Sequence, residues 1–224
     1  MNQDTWNAVD RYYTETLVKP APDFALANQA AREAGLPGIQ ITAPQGALLE
    51  TLVRFGGVSR ILEIGTLGGF STAWLARGLG PQGRLVSLEI DPAHAAVARE
   101  NLARFDYSAE IEILVGDGRQ LLGELIERGE PAFELIFIDA AKDQYRDYLE
   151  LSLELSREGT LIIADNVVRR GNILDQDGDA SVQGILEFNE YIAAEPRLAA
   201  TVIQTVGEKG YDGFAFLLVK NPEE

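Results

Sequence analysis

The stretch Leu135–Tyr145, LIFIDAAKDQY, sets the pattern for the whole chain. Four apolar residues in a row read as a strand buried on both faces, because a half-exposed strand would alternate apolar with polar. The run stops on Asp139, Lys142 follows three residues later, and Gln144 to Leu155 then reads as a helix. A second stretch, LIIADN (Leu161–Asn166), repeats the buried run and its acidic end with Asp165 and Asn166. A buried strand leading into a helix, repeated, is the grammar of a parallel sheet covered by helices.

Outward from these two runs the same alternation holds. Strands are expected at Arg60 to Ile64, Arg84 to Leu88 and Ile111 to Val115, with helices over Phe70 to Leu79, Asp91 to Phe105 and Gln120 to Arg128. After the Leu161 strand, Ser181 is expected to cap a helix reaching Ala194. Two last strands, Ala200 to Val206 and Gly213 to Val219, have only a loop between them and should form an antiparallel hairpin, with Tyr211-Asp212-Gly213 supplying turn residues. Three helices precede the sheet: one capped by Asp4 and reaching Leu17, one over Asp23 to Ala34, and one capped by Thr42 with Pro44 in its first turn. The expectation is a single α/β domain over 1–224, with 1–55 as an N-terminal helical extension or lid and 56–224 as the core.

Composition narrows the chemistry. With 19 Lys and Arg against 35 Asp and Glu the formal charge is −16, which speaks against a nucleic-acid partner, since phosphate backbones are bound by basic footprints. No cysteine is present, so disulfides, thiolate metal sites and a cysteine nucleophile are excluded. The single histidine, His94, excludes any mechanism needing two, and its setting in DPAHAAVARE reads as a solvated helix face. The opening residues MNQDTWNAVDRYY are too polar for a signal peptide, and no apolar run approaches the roughly 20 residues of a membrane span, so a cytoplasmic protein is expected.

The loop ILEIGTLGGFS joins the first strand to its helix. It departs from the dinucleotide fingerprint G-x-G-x-x-G, because Leu67 stands at the second glycine position, which disfavours a nicotinamide dehydrogenase. Glu63 ahead of the turn would repel a pyrophosphate and suits a cationic ligand. Glu89 ends the second strand, where an acid can accept ribose hydroxyls, and Asp117 in VGDG ends the third, where an adenine amino group can be read. Taken singly, each of these acids reads equally well as a helix cap, but three in register after consecutive strands favour a nucleoside site. Asp139 and the Asp165-Asn166 pair stand at strand ends in the same way, and three oxygen donors converge there if the fourth and fifth strands are neighbours. An oxygen set of this kind suits Mg²⁺, Mn²⁺ or Ca²⁺ rather than zinc. Asp175, Asp177 and Asp179 do not make a calcium loop, since Leu186 stands where the closing glutamate belongs.

Taken in order, LEIGTLGGFS, SLEID, GDG, FIDAAKDQY and ADNVVRRG resemble the cation-dependent O-methyltransferases that use S-adenosylmethionine, the family of the catechol and caffeoyl-CoA methyltransferases, and its bacterial small-molecule members most of all. The likeness runs from Ala43 to Val219. It implies a Rossmann-like, seven-stranded, mostly parallel sheet with an antiparallel last strand and helices on both faces, and often a homodimer. It also implies that Glu63, Gly65, Leu67, Ser71, Glu89, Ile90, Asp117, Gly118 and Asp139 surround the cofactor, that Asp139, Asp165 and Asn166 hold a divalent cation, Mg²⁺ first, and that Lys142 is the general base beside Asp139. The acceptor implied is a catechol-like small molecule. Two other functions fit the same motifs: a tRNA hydroxyuridine O-methyltransferase of the same family, against which the net charge speaks, and a nucleoside-binding module without turnover, for which Lys142 and the strand-end acids would be superfluous. Arg169 and Arg170, after the second acidic strand end, either steer an anionic acceptor or balance the acidic run that follows them.

Overall fold

Each strand expected from the sequence is part of one seven-stranded sheet in the computed structural model, which describes residues 2–221. The strands are β1 (Arg60–Ile64), β2 (Arg84–Glu89), β3 (Glu110–Val115), β4 (Phe133–Ile138), β5 (Ser156–Asp165), β6 (Leu198–Gly207) and β7 (Gly210–Val219), in the order β3-β2-β1-β4-β5-β7-β6. The pairs β2–β3 and β4–β5 are parallel, and β7 runs antiparallel to β5. By internal packing the chain divides into two compact units: one holds the residues up to Ile61, Gly65–Gly116 and Gly207–Gly210, the other Leu62–Ile64, Asp117–Val206 and the chain from Tyr211 on.

The first unit carries helices α1 (Gln3–Tyr13), α2 (Pro22–Glu33), α3 (Ala43–Phe55), α4 (Phe70–Gly78) and α5 (Pro92–Leu102). Thr42 caps α3 as expected: its hydroxyl accepts from Gln45 N at 3.3 Å, and the Gln45 side chain accepts from Thr42 N at 2.8 Å. Helices α3 and α4 pack closely, because Gly46 lies under the Trp74 indole and Gly78 against Val53, with no room for a side chain at either. Phe24 of α2 stacks on Trp74 with ring centres 4.3 Å apart. Helix α1 is tied to the turn between β6 and β7: Gln3 Nε2 donates to Gly207 O at 2.8 Å, and Glu208 N donates to Asp10 Oδ2 at 2.7 Å.

The second unit is built on β4 and β5, with helices α6 (Gly118–Glu127), α7 (Tyr145–Glu154) and α8 (Ala180–Ala194). Leu135, Ile136, Phe137 and Ile138 are all fully buried, as are Ile162, Ile163 and Ala164. At about 1.5–3 kcal/mol for each fully buried large apolar side chain, these two runs are a main source of the sheet's stability. The register sets Ile138 opposite Ala164, so the next residues, Asp139 and Asp165, come side by side, Asp165 still paired with Phe214 of β7.

Several boundaries differ from the sequence reading. The cap of α1 is Asn2, not Asp4, while the helical stretch does run on past Tyr13, as a π-helix over Thr14–Val18, and stops at Lys19. The cap of α8 is Asp179, not Ser181: Asp179 accepts from Val182 N at 3.0 Å. Strand β5 starts earlier than expected, at Ser156. Its polar opening, Ser156–Gly159, pairs through an irregular register, and Thr160 fills the gap by donating to Phe133 O at 2.7 Å and accepting from Arg157 N at 3.0 Å. Tyr211-Asp212-Gly213 belongs to β7; the turn is formed by Glu208 and Lys209. No helix among the described residues is long and apolar enough to cross a membrane.

Gly184 of α8 lies against the backbone of Lys142 and Asp143, with no space for a Cβ. Glycine to alanine inside a helix ordinarily gains about 1 kcal/mol. Here the overpacking cost, about 1–3 kcal/mol, exceeds that gain. Gly184→Ala is therefore expected to lower the urea midpoint at unchanged m-value; a rise in the midpoint would show that the Lys142 segment yields freely.

Candidate active site

In the first unit, the residues singled out in the sequence form a stitched loop. Gly65 and Gly69 take left-handed backbone, φ 102° and 80°, and so does Leu67 at φ 49°. The Glu89 carboxylate holds this turn: Oε2 accepts from Thr66 N at 3.2 Å and Leu67 N at 2.7 Å, while Oε1 accepts from Asp91 N at 3.0 Å. A carboxylate offers about four acceptor positions, so one remains for a ligand hydroxyl. His94 is not a free surface residue, since its Nδ1 lies 3.6 Å from Glu89 Oε1. The paired glycines serve packing: Gly68 faces Ala31 and Leu36, Gly69 faces Ala98, and the buried Asn101 donates to Gly68 O at 2.9 Å. Ser71 lies in the first turn of α4, and Ile90 is exposed beyond the end of β2.

In the second unit, Glu63 is fully buried on β1. Asp117 caps α6, accepting from Arg119 N at 3.0 Å and Gln120 N at 3.3 Å, and the Arg119 side chain beside it holds its carboxyl below the usual range. The capping reading of that acid is thus realised, with Gly118 next to it lying under the Tyr148 ring.

The ends of β4 and β5 form the most organised polar cluster of this unit. Asp139 N donates to Ile64 O at 2.9 Å, which fixes the acid at the strand end. Lys142 Nζ donates to Asp139 Oδ1 at 2.8 Å and to the Tyr145 hydroxyl at 2.7 Å. That hydroxyl lies between two strand-end carbonyls, Ile138 O at 3.0 Å and Asp165 O at 2.9 Å. Burial, and then the nearby charges of Asp139 and Asp165, push the Tyr145 phenol well above its usual range, so it stays a neutral donor. Asp165 is 4% exposed, and its Oδ1 accepts from Asn166 N at 2.7 Å. Burial raises its carboxyl well above the ordinary value, the Asp139 charge adds to this, and Lys142 opposes it. Asn166 adopts left-handed backbone, φ 60°. Asp212 of β7 then clamps the following loop, its Oδ1 accepting from Val168 N and Arg169 N, each at 3.0 Å.

The structure thus brings Asp139, Lys142, Asp165 and Asn166 to adjacent strand ends. Two further residues of this cluster, Tyr145 and Asp212, escaped the sequence reading. Tyr145 closes the stretch LIFIDAAKDQY with no role assigned to it there, while Asp212 reads as a turn residue. The donor set is two carboxylates and an amide; among the described residues, no group of three His, Cys, Asp or Glu side chains is arranged to hold a metal.

Tyr145→Phe would remove the single O–H that the carbonyls of Ile138 and Asp165 share and the oxygen that accepts from Lys142, at roughly 1–3 kcal/mol for the unsatisfied groups. Urea unfolding is expected to show a loss of that size, and a wild-type midpoint would mean that water replaces the hydroxyl.

A family model described as O-methyltransferase matches residues 23–215. The chain is 42% identical over 221 residues to a catechol O-methyltransferase of Niastella koreensis, covering 98% of this chain and 100% of the relative. It is 46% identical over 212 residues to a catechol O-methyltransferase of Mycobacterium tuberculosis, covering 95% of each. Among solved structures, the O-methyltransferase from Bacillus cereus in complex with SAH superposes with a TM-score of 0.96 at 45% identity, covering 98% of this chain and 100% of that one. With the sheet order, the strand-end acids and these matches in agreement, the chain belongs to the O-methyltransferase family.

Proposed function

We propose that the protein transfers a methyl group from S-adenosylmethionine to one hydroxyl of a catechol-like vicinal diol, with a divalent cation held by Asp139, Asp165 and Asn166. The observation that carries this reading is the β4–β5 register, which sets two like-charged carboxylates side by side, one of them buried. Alone, that arrangement is unfavourable, as the raised Asp165 carboxyl records. A dication held by these residues would remove that cost, and hard oxygen donors match Mg²⁺ first and Mn²⁺ or Ca²⁺ next.

A phenol titrates near pH 10, so a neutral catechol is a weak nucleophile at pH 7. When bound, the cation supplies charge stabilisation to the developing oxyanion. Lys142, placed beside Asp139 and Tyr145, would act as its neutral amine, the form that a bound cation nearby favours, and take the proton as the acceptor oxygen bonds to the methyl carbon and the sulfur–carbon bond breaks. The donor is held by the loop of Gly65, Leu67 and Ser71, by the spare acceptor position of Glu89 for the ribose, and by Glu63, Ile90, Asp117, Gly118 and Asp139. Lys142 distinguishes turnover from mere nucleoside binding, which has no use for a base beside Asp139. The charge of −16 disfavours a tRNA acceptor.

We further propose a homodimer and a cytoplasmic setting. Strand β6 ends the order of the sheet and carries no charged residue from Leu198 to Gly207, while Val202, Ile203 and Val206 are exposed. An uncharged apolar edge of that length is a surface that natural sheets cover.

Two outcomes test the reaction. Incubation with S-adenosylmethionine, 3,4-dihydroxybenzoate and Mg²⁺ is expected to yield S-adenosylhomocysteine, and EDTA to stop it; turnover undiminished by EDTA would refute the cation. Asp165→Asn is expected to cut kcat by about a hundredfold or more, as loss of a metal ligand does, while S-adenosylhomocysteine binds with unchanged affinity by calorimetry. Equal loss of both would make Asp165 a structural acid.

A further inference from the structure

The loop after Asn166 is held in a costly shape. Asn166, Arg169 and Arg170 all have positive φ, at 60°, 54° and 58°, before Gly171 at 88°. Non-glycine residues persist in this region only where surrounding contacts over-determine them. Those contacts come from β7: Asp212 Oδ1 accepts from Val168 N and Arg169 N at 3.0 Å, and Val167 N donates to Gly213 O at 3.2 Å. Arg169 is the residue this clamp fixes, and Arg170 beside it is exposed.

The Arg169 side chain is partly buried, and its Nε is shielded from solvent with no hydrogen-bond acceptor among the described residues. Nor does its guanidinium pair with a carboxylate among them, although acids outnumber bases 35 to 19 in the sequence. Other arginines of the same unit do find partners: Arg157 pairs with Glu134 at 2.8 Å and Arg197 with Glu195 at 2.9 Å. The Arg169 charge is felt at the Tyr145 hydroxyl, together with those of Asp139 and Asp165, so it belongs to the neighbourhood of the strand-end cluster. A desolvated guanidinium donor without an acceptor is unfavourable and calls for an anion supplied from outside the chain.

We propose that Arg169 is the anchor for a carboxylate carried by the methyl acceptor, so that the substrate class is acidic catechols, a vicinal diol at one end and a carboxylate at the other. The inference rests on the O-methyl transfer reading above and adds the second half of the acceptor. The guanidinium fork matches a carboxylate with two parallel hydrogen bonds, which a lysine ammonium does not reproduce. A catechol bearing an amine would meet like charge at Arg169, and one bearing neither would leave its Nε without an acceptor.

The test compares wild type, Arg169→Met and Arg169→Lys on 3,4-dihydroxybenzoate, 4-methylcatechol and dopamine, with Mg²⁺ and S-adenosylmethionine, and measures equilibrium binding of 3,4-dihydroxybenzoate to each protein. Arg169→Met is expected to lower kcat/KM for the acid by about 10- to 100-fold, mainly through KM, and to weaken its binding in parallel, as loss of a charged hydrogen-bond pair does. Its kcat/KM for 4-methylcatechol should stay within about threefold of wild type, and Arg169→Lys should recover part of the loss on the acid. Equal losses on the acid and on 4-methylcatechol would make Arg169 a loop-shaping residue and overturn the proposal, as would wild-type kinetics in Arg169→Met. If wild type turned over 4-methylcatechol or dopamine but showed no preference for the acid, only the carboxylate assignment would fall. If it turned over no diol at all, the transfer reading would fall and the carboxylate assignment with it.

Discussion

The Tyr145 hydroxyl is where the strand ends and the candidate base meet. It accepts from Lys142 and lies within donating distance of the last carbonyl of β4 and the last carbonyl of β5, with Tyr145 and Ile138 fully buried. Asp139 and Asp165 follow one another around this point because Ile138 and Ala164 stand in register. Two carboxylates so close are an electrostatic burden that the surrounding contacts must offset. Tyr145, Lys142 and the Asn166 amide are what the protein supplies. The cation proposed here would complete that compensation, which makes the site's instability without a ligand and its affinity for one two aspects of a single arrangement.

The glycine loop follows a similar economy. Glu89 organises Thr66, Leu67 and Asp91 through backbone N–H groups before any ligand is considered. An acid at this strand end is therefore needed for the turn and remains able to receive a ribose hydroxyl. Asp117 shows the contrasting case, in which helix capping and the adjacent Arg119 occupy much of the carboxylate. At Glu89, holding the turn and receiving a ligand hydroxyl, as proposed, would not exclude one another.

Much of the sheet was legible because buried parallel strands are written as unbroken apolar runs, and LIFI and LII are such runs. The acids at their ends, and the ordered motifs around them, were legible for the same reason: a charge directly after a buried run stands out. What escaped depended on partners distant in sequence. Ser156–Gly159 is polar and extends β5 only because Thr160 satisfies the irregular register against Phe133. Asp212 looks like a turn residue until β7 is set beside β5 and its carboxylate meets the amides of Val168 and Arg169. Tyr145 carries no local signal at all, since its role lies in a hydroxyl that meets two strand ends and a lysine. Caps shifted by two residues, as at Asn2 and Asp179, reflect the presence of several competent side chains in a row.

The contacts between α1 and the β6–β7 turn join positions 204 residues apart, as in the Gln3 bond to Gly207. On a ribosome adding about 5–20 residues per second, the first helix would emerge about 10–40 s before its anchoring turn existed. Throughout that interval its Asp10 carboxylate would have water where Glu208 N later stands. Helix α1, made before the sheet, is therefore among the last elements to be fastened, and changes to it would be felt in the final step of maturation rather than in the birth of the sheet.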